Sequence, residues 1–225
     1  MEVVNQLKGT DKLVQEYSDG AQLLTQVGEE PFHFYGYQAL GVFTTEAAAT
    51  KANLVNSSGR AYEAGDIHYV DQNGDGRIDY KDRVSLGKAS PDYFGGLFTS
   101  VRYKGFELSV DFSYSKGNDA YNGVRRNLES LSNLGNQSVS VVNRWNVEGQ
   151  VTDVPRAAWG DPKGNNDFSS RWIEDASYLR MKNITFSYSF DKMVLNFFRS
   201  GKIYVTGENL VTATKYLLIH LRIVF

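Results

Sequence analysis

Alternation of apolar and polar side chains marks the segment from Tyr93 to Ser115 and is strict from Phe106 onward. Between residues 106 and 115 the even positions are apolar and the odd positions are polar or acidic, the period of two that a half-buried strand shows. Upstream, one parity is shared by Tyr93, Leu97, Val101 and Tyr103. Lys104-Gly105 lies between the two runs and suits a two-residue turn, so the pattern predicts an antiparallel hairpin with Tyr103 opposite Phe106.

The predicted hairpin has one apolar face with aromatic ends and one polar face that carries Glu107, Ser109 and Asp111. Each arm has about ten residues, the length of a strand that crosses a bilayer at a tilt. The pattern fits a membrane barrel with lipid on the apolar side and a wet lumen lined by those three polar residues. Strands of a soluble sandwich alternate in the same way, so on the hairpin alone both architectures stay open.

Further strands follow in the last quarter of the chain. Residues 184–190 alternate like the hairpin, but Arg180 and Lys182 share the parity of the apolar set. The strand is therefore expected to leave the apolar layer there or to carry a bulge. Residues 202–210 form another predicted strand, and residues 217–225 form a last amphipathic one that ends in Phe225, which is typical of outer-membrane barrels.

The connections between the predicted strands are unequal. The turn at Lys104-Gly105 is minimal, whereas residues 116–177 form a long and polar connection. Outer-membrane barrels combine short turns at one end with long extracellular loops at the other, and a compact sandwich rarely carries so long a connection. The sequence thus predicts an all-β fold of antiparallel transmembrane barrel strands, with one short helix over residues 44–54 capped by Thr45.

Residues 71–82 read as a twelve-residue calcium loop. Gly76 occupies the position at which such a loop turns sharply. The candidate ligands are Asp71, Asn73, Asp75, the carbonyl of Arg77, Asp79 and Asp82. The alternative is an Asx-rich turn that holds no metal. Because no helices flank the loop, the calcium would act as a structural staple and not as a switch.

Composition removes several classes of function. The chain has 225 residues, a net charge of -2 and a pI near 5.9, so nothing suggests nucleic acid as a partner. It has no cysteine, which excludes disulfides, thiolate metal sites and a cysteine nucleophile. No apolar run reaches the length of about 18 residues that a membrane helix needs. The first residues lack a signal peptide, so the chain is expected to be cytoplasmic or a piece of a longer protein.

Candidate chemistry outside the loop is sparse. The three histidines are scattered, and no pair of carboxylates is singled out, so we expect no enzyme activity. Trp145, Trp159 and Trp172 lie in the long connection, where they could stack on sugar rings or contact a partner protein. Packing inside the connection is the favoured interpretation for these three side chains.

Several motifs occur together and in order between residues 32 and 216. They are Phe34-Tyr35-Gly36-Tyr37, residues 65–76, residues 102–108, Arg144-Trp145, residues 153–156, residues 171–185 and Gly207-Glu208-Asn209-Leu210. In this combination the chain resembles the C-terminal third of the SusC/RagA-type TonB-dependent outer-membrane transporters of Bacteroidetes.

The resemblance implies a barrel of about 22 strands filled by a plug. It also implies import of glycan or oligopeptide nutrients, energy passed through TonB, and a SusD-like surface lipoprotein as a lid. On this view residues 1–225 are the C-terminal part of the barrel in the outer-membrane lipid, without plug or TonB-contacting segment. The family continues differently after Thr214-Lys215-Tyr216, so it stays open whether Phe225 is the native end or results from a truncation or frameshift.

A function from another class stays open beside the importer. A soluble, calcium-stabilised β domain that binds carbohydrate or mediates adhesion would also use alternating strands and the 71–82 loop. The two hypotheses differ in solubility, because only the importer requires detergent.

Overall fold

A computed structural model describes residues 3–191 and 200–217. In chain order the strands are β1 (Lys12–Glu16), β2 (Gln22–Gln26), β3 (His33–Tyr37), β4 (Ala39–Val42), β5 (Val55–Asn56), β6 (Ile67–Tyr69), β7 (Arg77–Ile78), β8 (Arg83–Lys88), β9 (Tyr93–Tyr103), β10 (Phe106–Lys116), β11 (Asp119–Tyr121), β12 (Ile173–Asp175), β13 (Tyr178–Asp191) and β14 (Ser200–Thr214). The helices are α1 (Glu46–Ala52) and α2 (Gly123–Leu128), and short 3-10 helices span Tyr80–Asp82, Val139–Asn143 and Ser170–Trp172.

The chain forms two compact units. The core unit consists of Met1–Ala89 and Ala120–Ile173, and the sheet unit consists of Ser90–Asp119 and Glu174–Phe225. The predicted C-terminal strand over residues 217–225 lies outside the described residues, apart from its first residue. Within the described residues, no helix combines the length and the apolar character needed to span a membrane.

The sheet unit is an antiparallel four-stranded sheet with the order β14-β13-β10-β9. The predicted hairpin is confirmed, since Tyr103 pairs with Phe106 and the register continues to Tyr93 opposite Lys116. Lys104 and Gly105 both have positive φ, 45° and 84°, which is the backbone of a tight type I′ turn. Pattern and turn chemistry together therefore set the register.

Rows of side chains cross all four strands of this sheet. One row consists of Tyr103, Phe106, Tyr188 and Ile203, and the next consists of Val101, Leu108, Phe186 and Val205. Because residues on adjacent strands that pair directly share a face, these rows form one continuous apolar surface. The surface is largely exposed, with 72% for Val205 and 67% for Tyr103.

A bulge interrupts β13 and resolves the irregular parity of its first half. The register against β10 shifts where Asp111 pairs with Asn183 and Phe112 pairs with Met181, so Lys182 is the extra residue of β13. Before the shift, Arg180 pairs with Ser113 of β10 and belongs to the polar face. The predicted bulge is confirmed, and the apolar face runs on through Met181.

The core unit contains a second antiparallel sheet, β1-β2-β3-β8, and the small pairs β4-β6 and β5-β7. Its core consists of Tyr37, Val42, Phe43, Ala49, Leu54, Tyr62, Ile67, Tyr69 and Ile78. Helix α1 buries Ala49 in this core and begins where predicted, with the Thr45 hydroxyl accepting the Ala48 N–H at 3.1 Å. It ends at Asn53, whose φ of 52° is left-handed.

The connection predicted over residues 116–177 is folded for most of its length. It contains α2, two 3-10 helices and the short strands β11 and β12. Val154, Phe168 and Trp172 are buried in it. Much of the segment that the sequence marked as polar loop therefore belongs to a packed unit.

Candidate functional sites

A charged triplet lies on the polar face of the sheet unit. The Glu107 carboxylate accepts from Arg102 at 2.7 Å and from Lys202 at 2.9 Å. The three side chains come from β10, β9 and β14. Glu107 retains only 15% side-chain exposure, whereas Arg102 is 77% exposed. The pairing fixes Glu107 between two cations on the face that the sequence assigned to the lumen.

The predicted lumen residues line one shallow depression of about 300 Å³ on that face. Its lining consists of Phe98, Glu107, Ser109, Asp111, Asn183, Thr185, Ser187 and Lys202. The structure thus brings Glu107, Ser109 and Asp111 together with polar groups of β13 and β14. The alternation of Thr185 and Ser187 with apolar neighbours was a signal in the sequence for these additional members. Such a lining hydrogen-bonds water and polar solutes, as the interior of a barrel does.

The 71–82 loop is held by its own backbone. Asp71 accepts the N–H groups of Gly74 at 2.8 Å and Gly76 at 2.7 Å, and the Asn73 amide oxygen accepts the Asp75 N–H at 2.9 Å. Desolvation raises the pKa of Asp71, but the N–H groups of Gly76 and Gly74 outweigh it, so that this pKa lies below its ordinary value. Asp75 accepts the Arg77 N–H at 2.9 Å in the same manner.

The far end of the loop is closed by Asp82. This carboxylate is fully buried and accepts the N–H groups of Gln72 at 2.9 Å and Asp79 at 2.8 Å. Asp79 in turn caps the 3-10 helix by accepting the Lys81 N–H. In the described ranges, which include the whole loop, no three His, Cys, Asp or Glu side chains are grouped as they would be around a metal ion. Calcium binding by this loop stays a prediction.

The three tryptophans lie in different environments. Trp172 is fully buried and donates to the Asp167 carbonyl at 3.1 Å. Trp145 packs against the core and donates to the Thr44 carbonyl at 3.2 Å. Trp159 is 73% exposed. Of the three, Trp159 is the most exposed, and contact with a sugar or a partner protein stays a prediction.

Sequence reasoning missed a buried ionic clamp in the core unit. Asp66 is fully buried, and Arg156 reaches its two oxygens at 2.9 and 3.1 Å. Asn165 donates to the same carboxylate at 3.1 Å, and the Glu63 N–H does so at 3.0 Å. Glu63 also pairs with Arg156 at 2.8 Å and with Lys163 at 3.0 Å. The clamp ties two segments about 90 positions apart, a separation for which the sequence carries no local signal.

We expect the outer part of this clamp to give the protein a pH dependence on the acid side. Lys163 and Arg156 hold the pKa of Glu63 below its ordinary value. The stabilisation by Glu63 is therefore complete above the unfolded-state pKa, about 4.3. It is lost as the pH falls through the lower folded-state pKa. The measurement is the midpoint of urea unfolding at several pH values, on the protein in micelles. Below about pH 4.3 this midpoint should fall less steeply for Glu63→Gln than for the wild type. Glu29→Gln, at an exposed site, is the control, and equal acid limbs for Glu63→Gln and wild type would contradict the assignment.

Comparison with known proteins adds independent information. No family model matches the chain. TonB-dependent receptor P3 of Formosa agariphila is 32% identical over 193 residues, covering 84% of this chain and 18% of that protein. TonB-dependent receptor SusC of Bacteroides thetaiotaomicron is 31% identical over 151 residues, covering 66% of this chain and 14% of that protein. The chain thus spans less than a fifth of the length of either relative.

The fold agrees with these sequence relatives. A chain of the RagAB peptide transporter superposes with a TM-score of 0.72 at 22% identity, over 96% of this chain and 22% of that chain. The two-faced antiparallel sheet is therefore a stretch of β-barrel wall, which decides between the two architectures that the alternation left open. With the sequence relatives, this places the chain in a family: it belongs to the TonB-dependent receptors of the SusC/RagA type.

Proposed function

We propose that the sheet unit forms part of the wall of an outer-membrane importer, with lipid against its apolar face and the transport lumen against its polar face. The observation that carries the proposal is the exposed apolar surface that crosses all four strands. Monomeric soluble proteins rarely expose apolar patches beyond a few hundred Å², because water solvates them poorly. The hydrocarbon core of a bilayer covers such a surface without this unfavourable contact with water.

Strand length supports the same proposal. Strands β9 and β10 have 11 residues each, and β13 and β14 have 14 and 15. At about 3.3 Å per residue and a tilt of about 45°, 11 residues span roughly 25 Å. That height matches the apolar band of an outer-membrane barrel.

We further propose that the whole protein imports glycan or oligopeptide nutrients, with TonB supplying energy and a SusD-like lipoprotein as its surface partner, and that it catalyses no reaction. Support comes from relatives named as TonB-dependent receptors and SusC, and from a fold neighbour described as a peptide transporter. On this proposal the connection over residues 116–177 lies on the extracellular side, where its exposed Trp159 and Val151 would be available to the partner.

The test of the membrane role is fractionation of cells that produce the protein. We expect it in the outer-membrane fraction, released by detergent and not by high salt or urea washes. Recovery as a monodisperse soluble protein in plain buffer would overturn the importer role and favour the soluble calcium-stabilised domain.

We also propose that the 71–82 loop binds one structural calcium ion. Support comes from the spacing of its oxygen ligands and from the lone pairs that each carboxylate oxygen retains beside its N–H partner. In calorimetric titration, Asp71→Asn should weaken calcium binding at least about tenfold, since it removes a charged ligand. Asp11→Asn, an exposed aspartate elsewhere in the core unit, is the control. Absence of any heat that depends on Asp71 would leave the loop as a metal-free Asx clip.

A further inference from the structure

A cavity in the core unit combines an apolar wall with two arginines. It measures about 380 Å³, within the range of small-molecule sites. Ala39, Leu40 and Ile67 contribute apolar surface, and Arg125, Arg171 and Asp153 contribute charge. None of these residues belongs to the lumen face or to the calcium-type loop.

Arg171 is the unusual member of this lining. Its side chain is only 6% exposed, and its guanidinium lies 4.3 Å from the ring centre of Trp172. Nη2 donates to Glu129 at 3.2 Å, whereas Nε and Nη1 are buried without a hydrogen-bond partner among the described residues. Buried guanidinium N–H groups are normally satisfied, because leaving them unpaired forfeits their hydration. Arg171 therefore lines this cavity as a buried cation with two unpaired donors.

The acidic side chains near Arg171, Glu129 and Asp153, also interact with other groups. Glu129 accepts from Arg125 at 3.2 Å and from the Ser140 hydroxyl at 2.8 Å, in addition to Arg171. Asp153 is 78% exposed and lies 4.0 Å from Arg125, so solvent screens it. Burial lowers the pKa of Arg171, and Glu129 acts in the opposite direction. Arginine nevertheless stays charged in proteins, so the cavity holds a desolvated cation with spare donors.

We propose that this cavity binds the carboxylate of a small organic ligand, with the carboxylate hydrogen-bonded to Arg171 and an adjoining apolar group against Ala39 and Leu40. A guanidinium matches a carboxylate in charge and geometry, and the apolar wall favours an organic acid over an inorganic anion. The C-terminal residue of a short peptide and a uronic acid share this chemistry. The site goes beyond the transport role and does not depend on it.

The first test is calorimetry on the full chain in detergent micelles with matched probe pairs. N-acetyl-leucine should bind at least about tenfold more tightly than N-acetyl-leucinamide, since the amide lacks the charge-assisted hydrogen bonds. Glucuronate against glucose is the parallel pair for sugar acids. Preference for the acid in the first pair indicates a peptide terminus, and preference only in the second indicates a uronic acid. Equal binding within both pairs, or no binding of either acid, would overturn the proposal.

The second test uses variants at the cavity. Arg171→Gln should abolish the preference for the acid, whereas Arg60→Gln, an exposed arginine of the same unit, should leave it unchanged. Because Arg171 stacks on Trp172, its variants risk misfolding, so Leu40 offers an independent probe. Leu40 is 61% exposed, and Leu40→Glu places a competing carboxylate at the cavity wall. Leu40→Glu should weaken acid binding, and Leu40→Gln should do so far less. Equal effects of these two variants would also overturn the proposal.

Discussion

Lysine in place of Val205 should sharply reduce the amount of folded protein in the outer membrane. Val205 lies near the middle of β14, on the exposed apolar rows, so Val205→Lys places a charge against the hydrocarbon core. Cationic residues on the lipid face near the midplane cost about 2–4 kcal/mol, enough to shift insertion by one or more orders of magnitude. The measurement is the protein recovered in the outer-membrane fraction of producing cells.

The neighbouring residue supplies the control for that variant. Thr206 pairs with Thr185 and lies on the polar face, so Thr206→Lys puts the same charge on the proposed lumen side. We expect Thr206→Lys to insert nearly as well as the wild type, apart from the loss of its contact with the Thr185 hydroxyl at 2.9 Å. If both lysines were tolerated equally, the apolar face would not meet lipid.

Truncating Arg156 should strongly destabilise the core unit. Arg156→Ala leaves the fully buried Asp66 without its counter-ion. Removing one partner of a buried pair typically costs about 3–5 kcal/mol. We expect the lower part of that range, because Asn165 and the Glu63 N–H remain as donors to Asp66. Urea unfolding of the protein in micelles, monitored by tryptophan fluorescence to which the buried Trp172 contributes, measures the loss.

Arg60→Ala is the matched control for the clamp. Arg60 is exposed and donates to the Pro162 carbonyl at 3.2 Å. Exposed side chains of this kind contribute little to the free energy of unfolding. Removal of the Arg60 side chain should therefore change the unfolding midpoint only slightly. A comparable midpoint for the two variants would contradict the role of the clamp. Asp66→Asn should restore part of the stability lost in Arg156→Ala, because it removes the stranded charge.

The sheet could be predicted from the sequence where local chemistry determines it. The register of β9 on β10 follows from a period of two and a tight Lys104-Gly105 turn, both short-range signals. The pairing of β10 with β13 joins residues that are more than 60 positions apart, as in Ser115 opposite Tyr178. No turn sets that register, so only the shared apolar parity pointed to it.

The candidate sites show which features cannot be predicted from the local sequence. The spacing of oxygens in residues 71–82 suits a cation, yet the same Asp and Asn side chains are also the best acceptors for loop N–H groups. The same sequence pattern therefore fits both a calcium site and a metal-free Asx turn. The Asp66–Arg156 clamp and the Arg171 cavity depend on which distant segments fold together, and neither leaves a periodic or spacing signal.

The extra residue in β13 has an energetic meaning for a strand that lies against lipid. In an unbroken strand, the parity of Ile184 and Phe186 would carry Arg180 onto the apolar surface. That placement would cost about 2–4 kcal/mol near the midplane of a bilayer and less toward its edge. The shift at Lys182 instead turns Arg180 onto the polar face opposite Ser113, where its Nε donates to Thr212 at 3.1 Å. One inserted residue thus keeps the charge of Arg180 off the apolar face of the strand.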